Sequence, residues 1–304
     1  MRILVTGATG FLGSYLSTRL AQAGHTVEAL SRRGGGAIQF APDLRRATAW
    51  EPTAGPPPLE ALEGVDAVVH LAAEGLVGRW TERKKRAIRE SRVDGTRNLV
   101  TAMASVDPRP RTLISMSATG YYGDEGDEPL TEDSRPGRGF LADTVGAWER
   151  EAARAEALGV RVALLRTGIV LGRGGALRRL LPAARLGLGG PMGSGRQWWS
   201  WIHIRDFAGL VQLALETDLS GPILVASPAP VRQRDLARTL GRLLHRPAWT
   251  PAPAWALRLA LGEVSSELLW SRRVAPRRAQ EGGYGFLFPE LEPALRDLLG
   301  ERAD

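Results

Sequence analysis

The chain has 304 residues, 43% hydrophobic and 24% charged, which suits a soluble protein with one large α/β unit and an appended lobe. Cysteine is absent and the four histidines, His25, His70, His203 and His245, are scattered, so disulfides, thiolate catalysis and a structural metal site are not expected. The net charge of +7 is almost all arginine spread along the chain, with lysine only at Lys84 and Lys85; this argues against nucleic-acid binding and for attraction of an anionic cofactor.

Arg2-Ile3-Leu4-Val5 is a short apolar run of β-formers that leads straight into Gly7, Gly10 and Gly13, spaced G-x-x-G-x-x-G. Leu12, Leu16, Leu20 and Ala23 then recur at helical spacing as far as Gly24, which puts the glycines between a strand and a helix. That context predicts dinucleotide binding. One glycine permits the turn, one lets the backbone approach a pyrophosphate, one lets helix and strand pack, and the helix N-terminus faces the phosphates. The expected ligands are Gly7, Thr9, Gly10, Phe11, Leu12 and Gly13. The first residues show no signal-peptide pattern and no run of roughly 18 apolar residues follows, so a cytoplasmic protein off the membrane is expected.

Thr26 to Leu30 reads as the second strand, ending in Ser31-Arg32-Arg33. An acid at this tip would bind a ribose 2′-hydroxyl, whereas arginine accommodates a 2′-phosphate, so the cofactor is expected to be NADP rather than NAD. Glu28 lies inside the strand and reads as a solvated or edge-facing residue. Pro52 and Pro56-Pro57-Pro58 mark a loop, and Val65 to Ala73 is a continuous apolar strand of the buried parallel kind. Leu71, Ala72 and Ala73 at its end would let the cofactor lie across it, and His70 reads as a satisfied strand-end histidine. A charged helix follows from about Thr81 to Met103, then a strand from Arg111 to Met116 and the run Ser117-Ala118-Thr119-Gly120-Tyr121-Tyr122-Gly123.

A helix begins at about Phe140, and Arg161 to Arg166 is the next strand, whose end, with Arg166, should line the nicotinamide half of a cofactor cleft. Gly187 to Trp201 is rich in glycine and tryptophan; Arg196, Trp198, Trp199 and His203 read either as packing or as a lid that stacks on a flat substrate. Leu236, Leu240, Leu243 and Leu244 mark an amphipathic stretch, and a further helix is expected over 257–270.

Taken together, the glycine triplet, His70-Leu71-Ala72-Ala73, Ser117-Ala118-Thr119, Arg166-Thr167-Gly168 and Trp201 to Asp206 resemble an extended short-chain dehydrogenase/reductase. Arg79-Trp80, Ser91-Arg92, Gly120 to Gly123, Trp148-Glu149 and Gly193 to Trp198 resemble its epimerase-like subgroup, which carries its own C-terminal domain. The resemblance implies a Rossmann-type doubly wound parallel sheet with a smaller C-terminal substrate lobe. Residues 1–172 plus about 201–229 would form the first, and 173–200 plus 230–304 the second. It further implies an NADP-dependent oxidoreductase or epimerase acting on a small molecule such as a nucleotide-sugar, as a monomer or homodimer, with Ser117 holding the substrate oxygen.

One departure limits that reading. The family's Tyr-x-x-x-Lys pair, in which lysine lowers the tyrosine pKa for proton exchange, has no counterpart, because Leu141 and Val145 stand in those places. Tyr121 and Tyr122 are the nearest replacements, with Asp143 and Lys85 behind them, although both tyrosines read equally well as packing. The alternative is a non-catalytic NADPH-binding sensor or scaffold.

Overall fold

The computed structural model describes residues 1–39 and 43–300. Seven parallel strands form the central sheet: β1 (Arg2–Thr6), β2 (Thr26–Ser31), β3 (Arg46–Ala49), β4 (Ala67–His70), β5 (Thr112–Ala118), β6 (Arg161–Thr167) and β7 (Gly221–Val225). Their order is β7-β6-β5-β4-β1-β2-β3, so the direction of winding reverses between β1 and β4. In an open parallel sheet a crevice opens at such a switch point, above the C-terminal strand ends.

The helices α1 (Phe11–Gln22), α2 (Glu82–Ala104), α3 (Phe140–Ala153), α4 (Gly175–Arg185), α5 (Ile204–Glu216) and α6 (Gln233–Leu243) follow in chain order. One core lies between α1, α5 and one face of the sheet, built on Ile3, Val5, Leu16, Ile114 and Phe207; a second lies on the other face around Leu4, Val68, Leu99 and Leu113. Burial on both faces explains why these strands read as continuous apolar runs. A separate cluster joins Leu177, Trp199, Trp201, Leu236 and Leu240 to a late helix (Leu291–Leu299) whose leucines recur at amphipathic spacing.

Several elements depart from the sequence reading. β3 is an edge strand of four residues with both ends exposed, too short and too mixed to show a period. The strand expected over 65–73 ends at His70: the Leu71 amide is shared between the Thr6 carbonyl, at 3.2 Å, and the Thr6 hydroxyl, and the Ala72 amide turns to that hydroxyl. The helix expected over 257–270 is divided into α7 (Ala254–Leu261) and α8 (Ser265–Leu269) at Gly262, whose φ of 70° lies in the left-handed region. Glu28 is buried rather than solvated and is ion-paired to Arg2 at 3.1 Å.

Candidate functional site

The β1–α1 turn is built by its glycines. Gly7 has φ 73°, and a Cβ there would come 2.9 Å from the Ala72 nitrogen on the neighbouring loop. A Cβ on Gly13 would overlap the Gly7 carbonyl and lie 2.8 Å from Ala8 Cα, so only glycine lets α1 pack this closely on β1. Gly10, the N-cap, is exposed and provides no side-chain cap. The first N–H groups of α1 lack an intrahelical partner, and Gly7, Thr9 and Gly10 bring this helix end to the cleft, as an anion site requires. Phe11 is held from behind: Cβ atoms on Gly172, Gly174 or Gly175 would meet its ring at 2.5–2.7 Å.

These glycines border a cleft of about 710 Å³ lined by Gly7, Thr9, Gly10, Ser31, Arg32, Arg33, Leu71, Ala72 and Ala73. Leu30, Trp50 to Thr53, Glu74, Ala87, Glu90 and Ser91 also line it; Trp50 was not foreseen, because the four-residue strand that delivers it is too short to show a pattern. Ser31 Oγ accepts the Arg33 amide at 3.2 Å, which shapes the tip of β2. Arg32 is exposed and has no acidic partner among the described residues. The glycine cradle fits the pyrophosphate of a dinucleotide.

The opposite wall hangs on His70. Thr6 Oγ1 accepts from the Leu71 and Ala72 amides at 3.1 and 3.0 Å, so its one proton turns to His70 Nδ1 at 2.7 Å. His70 Nε2 must then carry a proton, which goes to Thr96 Oγ1 at 3.0 Å. Burial holds the imidazole neutral and lowers its pKa from 6.5 to about 4. His70 is thus a positioning residue. Because the unfolded chain takes up this proton near pH 6.5 and the folded one only near 4, stability falls as pH drops through that window. Urea denaturation at pH 7 and 4.5 should show the parent losing about 2–3 kcal/mol more than His70→Gln does. Equal losses would remove His70 from the account.

Beyond the loop after β4, a second cleft of about 300 Å³ opens among Leu76, Thr119, Gly120, Leu141, Thr167, Arg179, Trp198, Trp199, Leu268 and Trp270. The loop is shared, since Ala72 to Glu74 line the first cleft and Leu76 the second. It is tied down by Ser91 Oγ to the Glu74 amide at 3.0 Å, Arg92 to the Glu74 carbonyl at 2.9 Å and Trp80 to the Leu76 carbonyl at 2.8 Å.

Of the three residues read as catalytic, none lines this cleft. Ser117 is buried and donates to Glu149 Oε1 at 2.6 Å. The same carboxylate accepts two bonds of 2.8 Å from Arg166, whose remaining nitrogen reaches the Tyr122 hydroxyl at 2.9 Å and the Glu132 carbonyl at 3.0 Å. Arg166, read as a cofactor ligand, is therefore engaged away from the nucleotide cleft. Tyr122 is fully buried and donates to the Thr131 carbonyl at 2.9 Å. Burial pushes its phenol up to about 12, with Arg166 opposing, so it keeps its proton at neutral pH. Tyr121 is half-buried, lies 3.6 Å from the Arg166 guanidinium and has no hydroxyl partner among the described residues.

Thr119, two residues beyond Ser117, lines the cleft, and none of the hydrogen bonds of the described residues engages its hydroxyl. Leu141 also reaches the cleft, where a tyrosine would have been needed, and packs so closely that a Cβ on Gly120 would meet it at 2.6 Å. Val145 is fully buried. Trp198 and Trp199 line the cleft wall, Trp198 bonded to Asp127 at 3.0 Å and Trp199 to the Leu268 carbonyl at 3.2 Å. Arg196 is exposed outside it. His203 is fully buried, caps α5 through the Arg205 amide and stacks on Phe288 at 3.9 Å. It belongs to the scaffold rather than to a lid.

Comparison with known proteins agrees with this architecture. Residues 3–226 match the model of the NAD dependent epimerase/dehydratase family, and residues 252–298 match a domain of unknown function, DUF1731. The chain is 37% identical over 304 residues to Epimerase family protein YfhF of Bacillus subtilis, covering 99% of each. It is similar, with 34% identity and a TM-score of 0.89, to the crystal structure of human epimerase family protein SDR39U1 (isoform 2) with NADPH, covering 99% of this chain and 100% of that one. MoeE5 in complex with UDP-glucose and NAD shares the fold, with a TM-score of 0.79 at 22% identity over 99% of this chain and 98% of that one.

Proposed function

We propose that this chain, which belongs to the NAD dependent epimerase/dehydratase family, binds NADPH in the larger cleft and reduces or epimerises a small molecule held in the smaller one. The observation that carries the reading is the glycine cradle opening onto Ser31-Arg32-Arg33, with Arg32 unpaired among the described residues and no acid in that tripeptide. The human relative with NADPH supports it. When bound, the nicotinamide supplies or accepts a hydride.

The protein's own part is positioning. The α1 N-terminus would hold the pyrophosphate and Arg32 the 2′-phosphate, and Ala72 and Ala73 would leave room for the ribose across the strand end. Thr119 donates its hydroxyl to the substrate oxygen, and the proton comes from solvent, since Leu141 and Val145 offer none and Tyr121 does not line the cleft. Leu141 and Val145 also favour a second reading, an NADPH-binding protein whose stability depends on cofactor occupancy without turnover.

Titration calorimetry of the parent and Arg32→Asp tests the cofactor. NADPH should bind more tightly than NADH, and Arg32→Asp should weaken NADPH at least tenfold while changing NADH less than twofold, because only the 2′-phosphate loses charge-assisted bonds. Equal losses would sink the arginine argument. NADPH oxidation with a panel of sugars, nucleotide-sugars and oxo acids tests turnover. Thr119→Val should lower it about 100-fold; a panel without turnover favours the second reading.

A further inference from the structure

The smaller cleft has a chemistry of its own. Its walls are mostly apolar, with Leu141, Leu180 and Leu268 facing the rings of Trp198, Trp199 and Trp270. At about 300 Å³ it holds roughly ten to fifteen heavy atoms at about 20–30 Å³ each. A nucleoside diphosphate sugar is far larger, and its base, ribose and two phosphates would need polar partners that these walls do not provide.

Two arginines and one glutamate also line the cleft, and they are not equivalent. Arg272 is paired with Glu267 at 2.9 and 3.2 Å, and its Nε donates to the Gly123 carbonyl at 2.7 Å. Arg179, projecting from α4, has no acidic partner among the described residues. The Glu267 and Arg272 charges cancel, so the cleft presents one unmatched positive charge. The Thr119 hydroxyl is the other free polar group on its wall among those described above.

We propose that this cleft takes a small, largely apolar or aromatic carbonyl compound with a single anionic group, its anion on Arg179, its body against the tryptophans and its carbonyl oxygen at Thr119, rather than a nucleoside diphosphate sugar. The inference rests on the NADPH reading above. In the reaction the carbonyl carbon gains a hydride as its C=O π bond breaks, the oxygen gains a proton from solvent, and NADPH becomes NADP⁺; the product is the corresponding alcohol. A planar guanidinium at the rim and aromatic walls within suit an oxo acid whose carboxylate stays near water while its body is buried.

Phenylpyruvate, its methyl ester and UDP-glucose serve as probes, titrated by calorimetry into the protein saturated with NADP⁺, which cannot reduce them. Phenylpyruvate should bind at least tenfold tighter than the ester. Arg179→Ala should weaken phenylpyruvate at least tenfold while leaving the ester and NADPH within twofold, and Arg179→Lys should restore part of the loss. UDP-glucose binding more tightly than phenylpyruvate, an indifferent Arg179→Ala, or no binding of phenylpyruvate would each overturn the proposal. If NADPH itself does not bind the parent, the proposed function fails; if NADPH binds and phenylpyruvate ignores Arg179, only the substrate class fails.

Discussion

Gly10→Asp is expected to weaken NADPH binding at least 100-fold while leaving the protein as stable as the parent or slightly more so. Gly10 is the exposed N-cap of α1, with extended backbone, φ −81° and ψ 172°, that any residue adopts. The nearest atom to a Cβ there is the Gly7 carbonyl oxygen at 3.3 Å, so the substitution is tolerated with a small adjustment. Aspartate is a favoured N-cap and gains a few tenths of a kcal/mol over glycine. Its carboxylate would, however, occupy the helix end where the pyrophosphate must lie, setting like charges together in a partly enclosed cleft. Thermal melting and calorimetry on the same variant separate the two effects. Gly13→Ala provides the contrast, because its Cβ would meet backbone, 2.8 Å from Ala8 Cα, and should cost both stability and binding. If Gly10→Asp binds NADPH as the parent does, the phosphates are not at this helix end.

Arg166→Leu is expected to cost about 3–5 kcal/mol of stability in urea denaturation, because it leaves the Glu149 carboxylate buried without its counter-ion. Side-chain exposures of 4% for Arg166 and 9% for Glu149 make solvent a poor substitute partner. Glu149→Leu should cost a similar amount, since it strands the guanidinium and the Ser117 hydroxyl. The double variant should be less destabilised than the sum of the two, and near either single variant, because the second change removes the charge the first left unpaired. NADPH affinity, measured where each variant is folded, should be unchanged within about twofold. An additive double variant would show that the two charges are not coupled, and a large loss of NADPH affinity in Arg166→Leu would return Arg166 to the cofactor site.

Much of the larger cleft was legible because its determinants are local. The glycine spacing, the strand before it and the helical leucines after it are consecutive in the chain, and Ser31-Arg32-Arg33 follows its strand directly. Trp50, by contrast, reaches the same cleft from a four-residue edge strand that pairs only with β2, too short to carry a pattern. The smaller cleft was less legible still. It gathers residues from the loop after β4, the end of β5, α3, α4 and the segment around α8, spread from Leu76 to Arg272.

Sequence by itself determined the α/β alternation, the glycine turn between β1 and α1 and the absence of the tyrosine–lysine pair, since each depends on residue type within one element. Tertiary structure decided which hydroxyl faces the cleft. Ser117 lies within β5 and points to Glu149, 32 residues away in α3, whereas β5 ends at Ala118 and Thr119 opens a 3₁₀ turn, so the strand's alternation no longer governs its direction. The same is true of the arginines. Arg166 and Arg179 are the same residue type, and only the fold brings a buried carboxylate to the first and leaves the second facing an apolar cleft. A charge is neutralised by what lies within a few ångströms in space, and sequence neighbours seldom supply it.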